Sequence, residues 1–99
     1  MPDSEILEVA VLSVIRGHGP AFEAAFGVAA PIIAASPGYL SHDLRRCVEV
    51  MDRYILLVKW RTLEDHTVGF RDSEAYQEWK RLLHPFYDPF PLVEHYTRL

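Results

Sequence analysis

The sequence predicts an α+β fold with the ferredoxin-like order β-α-β-β-α-β, an antiparallel sheet and helices on one face. Three observations lead to this prediction. Residues 53–60 alternate their side chains between two faces, as a strand does. Residues 22–33 repeat apolar side chains at helical spacing. Thr62 and Ser73 each stand shortly before an acidic residue, which is a helix-start signal, so helical segments follow the strand.

The composition predicts one globular domain that spans residues 1–99. Single domains commonly contain about 50 to 200 residues. Hydrophobic residues make up 49% of the chain and charged residues 24%, a balance that allows a buried core. The chain has 10 Lys and Arg against 14 Asp and Glu, a net charge of -4, which argues against binding to nucleic acid.

The sequence also predicts a cytoplasmic protein that does not insert into a membrane. The first residues lack a basic segment followed by an apolar run, and no stretch approaches the roughly 18 apolar residues of a membrane span. The single cysteine, Cys47, has no partner for an internal disulfide. It fits a buried position in the second strand, and a reactive thiol is the alternative.

Residues 5–34 predict the first strand and the first helix. Residues 5–15 are apolar on both faces, so we expect a central strand that is covered on both sides. Pro20 suits the first turn of the next helix, where its missing N–H is not needed. Pro31 interrupts the helical pattern, and we expect a kink or a short second helix there.

The second strand, residues 39–48, is more polar than the first, which predicts an edge position or a cavity wall. A turn at residues 50–53 leads into the third strand. Beyond that strand, the two helix-start signals predict a short helix and then a longer one. Three prolines in residues 84–91 predict an extended connection to a last strand at residues 92–99.

This order leaves one face of the sheet without a cover. Two helices cover one face of four strands, yet the first and third strands are apolar on both faces. In so short a chain the simplest partner is a second copy of the same chain. We therefore predict a homodimer in which the two sheets pack face to face.

The sequence predicts no metal or cofactor site. The five histidines show no His-x-x-His or His-Glu-x-x-His spacing. Gly17 and Gly19 lack the third glycine of a dinucleotide-binding loop, so flavin and nicotinamide are not expected. No serine lies in the context of a nucleophile elbow, so acyl transfer is not expected either.

His66 is the leading catalytic candidate, because the helix start at Thr62 brings it beside the end of the third strand at Trp60. An imidazole can exchange a proton with a substrate hydroxyl or enol near neutral pH. The alternative is a histidine on the helix surface. His95 points either into a cavity or into the dimer contact. His42 shares a strand face with Leu40 and Leu44, which favours a core histidine over a substrate contact.

Four aromatic residues follow or end the third strand: Trp60, Phe70, Tyr76 and Trp79. Residues of this kind are most often part of a core. Together they would also form an apolar cleft that suits a flat aromatic ligand. Both interpretations remain open at this stage.

The strand ending in Lys59-Trp60 and the run TLEDHTVGFRDSEAYQEWKRLLHPFYDPFPLVEHY resemble the antibiotic biosynthesis monooxygenase family, within the dimeric α+β barrel superfamily. The resemblance implies a homodimer. In one branch it implies oxidation of aromatic substrates by dioxygen without a cofactor. That branch has a pocket Trp, matched by Trp60, and a Tyr six residues later, where this chain has His66. It also has an Asn four residues before the Trp, where this chain has Leu56.

The family resemblance also includes two other branches. One degrades heme and uses a histidine on the last helix and an earlier Trp, but this chain has Lys80 and Phe70 at the nearest positions. Heme breakdown is therefore not expected. The other processes small phosphorylated sugars, which the net charge of -4 makes less suitable as substrates.

The leading hypothesis is a monooxygenase that acts on a small phenolic, anthrone or quinol-type substrate without metal or flavin. His66 would take the proton and His95 would assist, while Trp60, Phe70, Tyr76, Trp79 and His42 would contact the substrate. A non-catalytic dimeric module that binds small molecules is the first alternative. An isomerase of a small metabolite is the second.

Overall fold

A computed structural model describes residues 5–99 of the chain. The strands are β1 (Ile6–Ser13), β2 (Tyr39–Arg46), β3 (Arg53–Trp60) and β4 (Val93–Thr97), and the α-helices are α1 (Gly19–Ala34) and α2 (Glu74–Leu83). A π-helix (Asp65–Phe70) precedes α2, and a 3₁₀ helix (His84–Phe86) follows it. The predicted β-α-β-β-α-β order is confirmed. The first four residues of the expected 1–99 domain lie outside the described part.

The four strands form one open antiparallel sheet in the order β2-β3-β1-β4. Its centre is made by β1, which pairs with β3 so that Ile6 lies opposite Trp60, and with β4 so that Glu8 lies opposite His95. The predicted central position of the first strand and the edge position of the second are confirmed. The pairing also brings the beginning of β1, the end of β3 and the middle of β4 together.

The core lies between α1, α2 and one face of the sheet, which we call the inner face. The inner face contributes Ala10, Leu12, Tyr54, Leu56, Val58 and Trp60, α1 contributes Phe22, Phe26, Ala29 and Ile33, and α2 contributes Trp79 and Leu83. Burial of one large apolar side chain stabilises a fold by about 1.5 to 3 kcal/mol. This cluster therefore fixes both helices against the sheet.

The two predicted helix starts after β3 are confirmed by their hydrogen bonds. Thr62 Oγ1 accepts a 3.1 Å hydrogen bond from the backbone N–H of Asp65, and Ser73 Oγ accepts one of 3.2 Å from Tyr76. The first start leads into a π-helix, in which the N–H of Arg71 donates to the carbonyl of His66. Such wide turns are frequent at functional sites.

Of the kink or short second helix expected at Pro31, the second helix does not form, and the kink stays a prediction. Residues 19–34 are one continuous helix, and Pro31 lies on its exposed side close to its end. The apolar stripe continues past the proline to Ile33, which is fully buried against the core. Because only one hydrogen bond is lost near the carboxyl end, packing of this stripe outweighs the local cost of the proline.

Two details of the second strand were predicted wrongly. Cys47 is not inside the strand but follows it, and its half-buried thiol accepts a hydrogen bond from the N–H of Val50. A register shift between Tyr39 and Ser41 removes Leu40 from the face of His42. Leu40 is exposed, and Tyr39 lies beside His42 instead.

The outer face of the sheet carries a central apolar strip formed by Leu7, Val9, Val11, Ile55 and Leu57. Both long helices pack on the inner face, and Val11 remains 46% exposed. Coverage of this strip by a second copy stays a prediction. Among residues 5–99, no helix is long and apolar enough to cross a membrane.

Candidate functional site

A cavity of about 390 Å³ lies between the inner face of the sheet, the π-helix, α2 and the segment that leads into β4. Ala10, Leu56 and Ile33 contribute apolar surface from the sheet and α1. Its volume is within the range of small-molecule sites. The cavity is therefore large enough for a small ring system.

Aromatic side chains form one wall of the cavity. Phe70, Tyr76 and Trp79 all line it, and Phe70 and Trp79 are also part of the buried core, so both interpretations of these residues describe their surroundings. The ring of Phe70 meets those of Tyr76 and Trp79 edge to face, at centroid distances of 5.3 and 5.8 Å. These mutual contacts hold the rings in fixed orientations, which suits the binding of a flat aromatic molecule.

Trp60 takes a different position from the other three aromatic residues. Its side chain has no exposed surface and is not among those that line the cavity. It lies behind His66, and the two rings stack at a centroid distance of 5.2 Å with an angle of 19° between their planes. Trp60 therefore supports the imidazole from behind.

His66 is buried beneath the π-helix, with only 3% of its surface exposed, so it is not a helix-surface histidine. It lines the cavity, and both of its ring nitrogens have protein neighbours. Nδ1 lies 2.8 Å from Nε2 of His95, and Nε2 lies 3.4 Å from Oε1 of Glu8. Glu8, His66 and His95 can each carry a proton, and His66 lies between the other two and contacts both.

His95 lies on the inner face of β4, and its ring contacts that of His66. It is half-buried and is not among the side chains that line the cavity. Since β4 is an edge strand of the sheet, His95 stands between the buried His66 and the surface.

Glu8 is the site residue that the sequence analysis missed. It is the third residue of β1, lines the cavity and is 5% exposed. Its Oε1 accepts a 2.9 Å hydrogen bond from Nε1 of Trp60. The available signal was a lone acidic residue on the inward face of an otherwise apolar strand, and such a residue is rarely buried without a partner.

The surroundings favour neutral forms of these groups. Burial raises the pKa of Glu8, against the opposing effects of the Trp60 hydrogen bond and the charge of Arg71. Burial, with the charges of Arg71 and His95, lowers the pKa of His66 to about 3. Burial and Arg71 also lower the pKa of His95. Near pH 7 the contact of Glu8 with His66 is therefore not an ion pair with a charged imidazole.

Four further polar side chains line the cavity: Arg71, Tyr76, His84 and Tyr87. In the part of the chain that the structure describes, none of the four side chains forms a hydrogen bond or an ion pair with another residue. Burial and the nearby Glu8 raise the pKa of Tyr87, so its hydroxyl remains protonated. These groups are available to a ligand.

His42 lies outside this cavity. Its Nδ1 is 2.6 Å from the hydroxyl of Tyr39, and its ring packs against Phe26 at 5.7 Å. These partners satisfy the imidazole within the fold. These surroundings agree with the interpretation of His42 as a core histidine, and its side chain is not among those that line the cavity.

The carboxylate and the two imidazoles are not arranged around a common point. Glu8 and His95 contact opposite nitrogens of His66, so one metal ion cannot bind all three through these atoms. Among residues 5–99, no group of three or more acidic, histidine or cysteine side chains is placed to hold a metal ion. Lys80, which the resemblance matches to the histidine of the heme-degrading branch, is exposed on α2.

Comparison with known proteins identifies relatives along most of the chain. The family model described as antibiotic biosynthesis monooxygenase matches residues 6–82. The uncharacterized protein YczJ of Bacillus subtilis (strain 168) is 55% identical over 92% of this chain and 96% of its own length. A mycobilin-producing heme oxygenase of Mycobacterium tuberculosis is 28% identical over 75% of this chain, and the matched region spans 61% of that enzyme.

Solved structures support the same fold. A protein of Bordetella bronchiseptica that is assigned to the antibiotic biosynthesis monooxygenases superimposes with a TM-score of 0.93 and 33% identity, over 98% of this chain and 99% of that chain. SnoaB of Streptomyces nogalater, a cofactor-independent oxygenase, superimposes with a TM-score of 0.85 and 18% identity, over 98% and 95% of the two chains. At that identity, SnoaB supports the fold alone.

Proposed function

The chain belongs to the antibiotic biosynthesis monooxygenase family, and from this premise we propose that it oxidises a small phenolic, anthrone or quinol-type substrate with dioxygen. The reaction would need no metal or flavin, because the ionised substrate itself supplies the electrons. One observation carries the proposal: a buried carboxyl group and an imidazole lie side by side at an aromatic cavity.

The reaction of an anthrone illustrates the chemistry. The site removes one proton from the ring CH₂ group, and the resulting anion reduces dioxygen and forms a carbon–oxygen bond. The peroxide anion takes a proton and loses water, leaving a ketone. In total, CH₂ and O₂ give C=O and H₂O, so the protein must only remove a proton and return it.

The side chains around the cavity support distinct roles in this scheme. Phe70, Tyr76 and Trp79 would hold the ring, and Trp60 would support the proton-accepting pair from behind. Among residues 5–99, Arg71 is the only Lys or Arg whose side chain lines the cavity. Its positive charge would favour the ionised form of the substrate.

We also propose that the active protein is a cytoplasmic homodimer. The apolar strip on the outer face, around Val9, Val11 and Leu57, supports face-to-face packing with a second copy. The cavity opens on the other side of the sheet, so such packing would leave it accessible.

Oxygen uptake with anthrone tests the proposed activity. The wild type should consume oxygen and form anthraquinone, and His66→Ala should lower the rate by about 100-fold, a typical contribution of acid–base catalysis. His66→Phe retains a ring against Trp60 and should be equally impaired, which separates lost chemistry from lost packing. His18→Ala is the matched control, because His18 is exposed and does not line the cavity.

The alternative functions give different results in the same experiment. Tight binding of anthrone without oxygen uptake, in wild type and His66→Ala alike, would replace the oxygenase with a binding module. Removal of the substrate proton without oxygen uptake would favour an isomerase, since that reaction needs the proton transfer alone.

A further inference from the structure

We propose that Glu8 is the group that accepts the substrate proton, and that His66 and His95 form a relay that carries this proton from the cavity wall to the solvent side of β4. The inference rests on the proposed function for its substrate, but the relay itself follows from the contacts of three side chains. It assigns the catalytic role of proton acceptor to Glu8, and to both histidines the transfer of that proton to solvent.

The first step of the argument concerns which atom can reach a substrate. Nδ1 of His66 is engaged with His95, Nε2 faces Glu8, and one ring face is covered by Trp60. A substrate would have to displace one of these partners to meet a nitrogen of His66.

Glu8 offers the free atom that His66 lacks. Its Oε1 faces both Trp60 and His66, whereas Oε2 forms no hydrogen bond within residues 5–99. Glu8 also lines the cavity. When Glu8 is ionised, Oε2 is therefore the oxygen to which a bound substrate can transfer its proton directly, and the raised pKa of Glu8 makes this carboxylate a stronger base than an ordinary one.

The second step concerns where the proton goes next. A neutral imidazole carries hydrogen on one nitrogen and a lone pair on the other, so it can accept a proton on one side and release one on the other. The 2.8 Å contact of His66 with His95 requires one N–H and one lone pair between the two rings. In the receiving state, Nδ1–H of His66 donates to His95, and Nε2 is free to accept from Glu8.

The proton transfer balances along this chain. The substrate proton binds Oε2 of Glu8, and a half turn of the carboxyl group presents it to Nε2 of His66. The Nδ1 proton of His66 then moves to Nε2 of His95, and His95 releases its Nδ1 proton to water. Release of the proton to water leaves one additional negative charge in the site, and the reverse sequence, which returns a proton to the peroxide, restores the starting charge.

Proton transfer from Glu8 to His66 requires the two side chains to move closer together. Oε1 of Glu8 and Nε2 of His66 are 3.4 Å apart, which is longer than an ordinary hydrogen bond. Contacts of this kind often tighten only when substrate is bound. The charged and titratable groups near the relay include Arg71, which lowers the pKa of all three members, and Tyr87, whose own pKa is raised by burial and by the charge of Glu8.

Solvent deuterium exchange without oxygen tests the relay. Anthrone is incubated with protein in D₂O under nitrogen, deuterium at its CH₂ carbon is measured by mass spectrometry, and the anthrone anion is followed by absorbance. The wild type should accelerate exchange above the buffer rate. Glu8→Gln should reduce this acceleration by about 100-fold, with anthrone affinity within about threefold.

His95→Gln distinguishes transfer of the proton to solvent from its removal from the substrate. The amide can still contact His66, but it cannot accept and release a proton. The anion should form at the wild-type rate while deuterium incorporation falls about tenfold, because the abstracted proton returns to the same carbon. Glu49→Gln, at an exposed position, is the matched control.

The possible outcomes separate the relay from the oxygenase proposal. Exchange at the wild-type rate in Glu8→Gln would overturn the role of Glu8, and the same result in His95→Gln would overturn the relay. A wild type that shows no exchange above buffer would also overturn it, even if oxygen uptake occurs. Exchange that depends on Glu8 and His95 without oxygen uptake would support the relay and remove the oxygenase.

Discussion

Nε1 of Trp60 donates a 2.9 Å hydrogen bond to Oε1 of Glu8, joining the end of β3 to the beginning of β1 in a buried environment. The same indole stacks on His66. One side chain thus positions both the carboxyl group and the imidazole. This bond also favours the charged form of Glu8, against the effect of burial.

Trp60→Phe should shift the pH dependence of proton abstraction to higher pH. The hydrogen bond lowers the pKa of Glu8, so its removal lets burial raise that pKa further. An unsatisfied buried acceptor should also lower the free energy of unfolding by about 1 to 3 kcal/mol. Anthrone exchange measured against pH and urea unfolding check both effects. An unchanged pH midpoint would show that the indole N–H does not influence Glu8.

His66 should make the protein less stable as the pH falls. Its pKa is about 3 in the folded protein, against an ordinary value of 6.5, so between these values the unfolded state binds one proton more. The free energy of unfolding is therefore highest above pH 6.5 and falls by about 1.4 kcal/mol per pH unit on acidification towards pH 3. The raised pKa of Glu8 acts in the opposite direction, since its contribution is present at low pH and lost as pH rises.

A comparison of variants isolates the contribution of His66. Urea unfolding at several pH values between 3 and 7 should give a shallower slope for His66→Gln than for the wild type. His18→Gln, at an exposed site, should retain the wild-type slope. Equal slopes for His66→Gln and the wild type would mean that His66 is not held neutral by burial.

The sheet and helices were predictable because their signals are local. Alternation in β3 and the hydroxyl groups of Thr62 and Ser73 act within a few residues, and the structure confirms each. The extent of α1 beyond Pro31 was not predictable in this way. It depends on tertiary packing of Ile33, which local propensity does not contain.

The site was only partly predictable, because its key contacts join distant parts of the chain. The position of His66 beside Trp60 followed from a short connection, but the contact of Trp60 with Glu8 spans 52 positions. His95 reaches the site through the pairing of β4 with β1. A strand pattern identifies the inward face of β1, yet it does not show that an acidic residue there has an indole and an imidazole as partners.

Arg71→Gln should weaken the binding of anionic aromatic ligands more than that of neutral ones. Arg71 is exposed at the cavity, and its guanidinium forms no ion pair with another side chain of residues 5–99. Exposed charge pairs contribute about 0.2 to 1 kcal/mol, so affinity for anthraquinone-2-carboxylate should fall about fivefold or less, and more at low salt. Affinity for anthraquinone should not change. Arg16→Gln is the control, and equal losses for both ligands would contradict a charge effect.

Val11→Lys should convert the proposed dimer into a monomer. Val11 lies in the apolar strip of the outer face and is 46% exposed, so lysine fits without disturbing the core of the single chain. In a face-to-face dimer, two buried ammonium groups would meet near the centre of the contact, at a cost that apolar contacts do not offset. Light scattering should give a mass near 11.4 kDa for the variant and twice that value for the wild type.

Val28→Lys, on the exposed side of α1, should retain the dimer mass. A wild type that scatters as a monomer would show that the strip is not covered by a second copy.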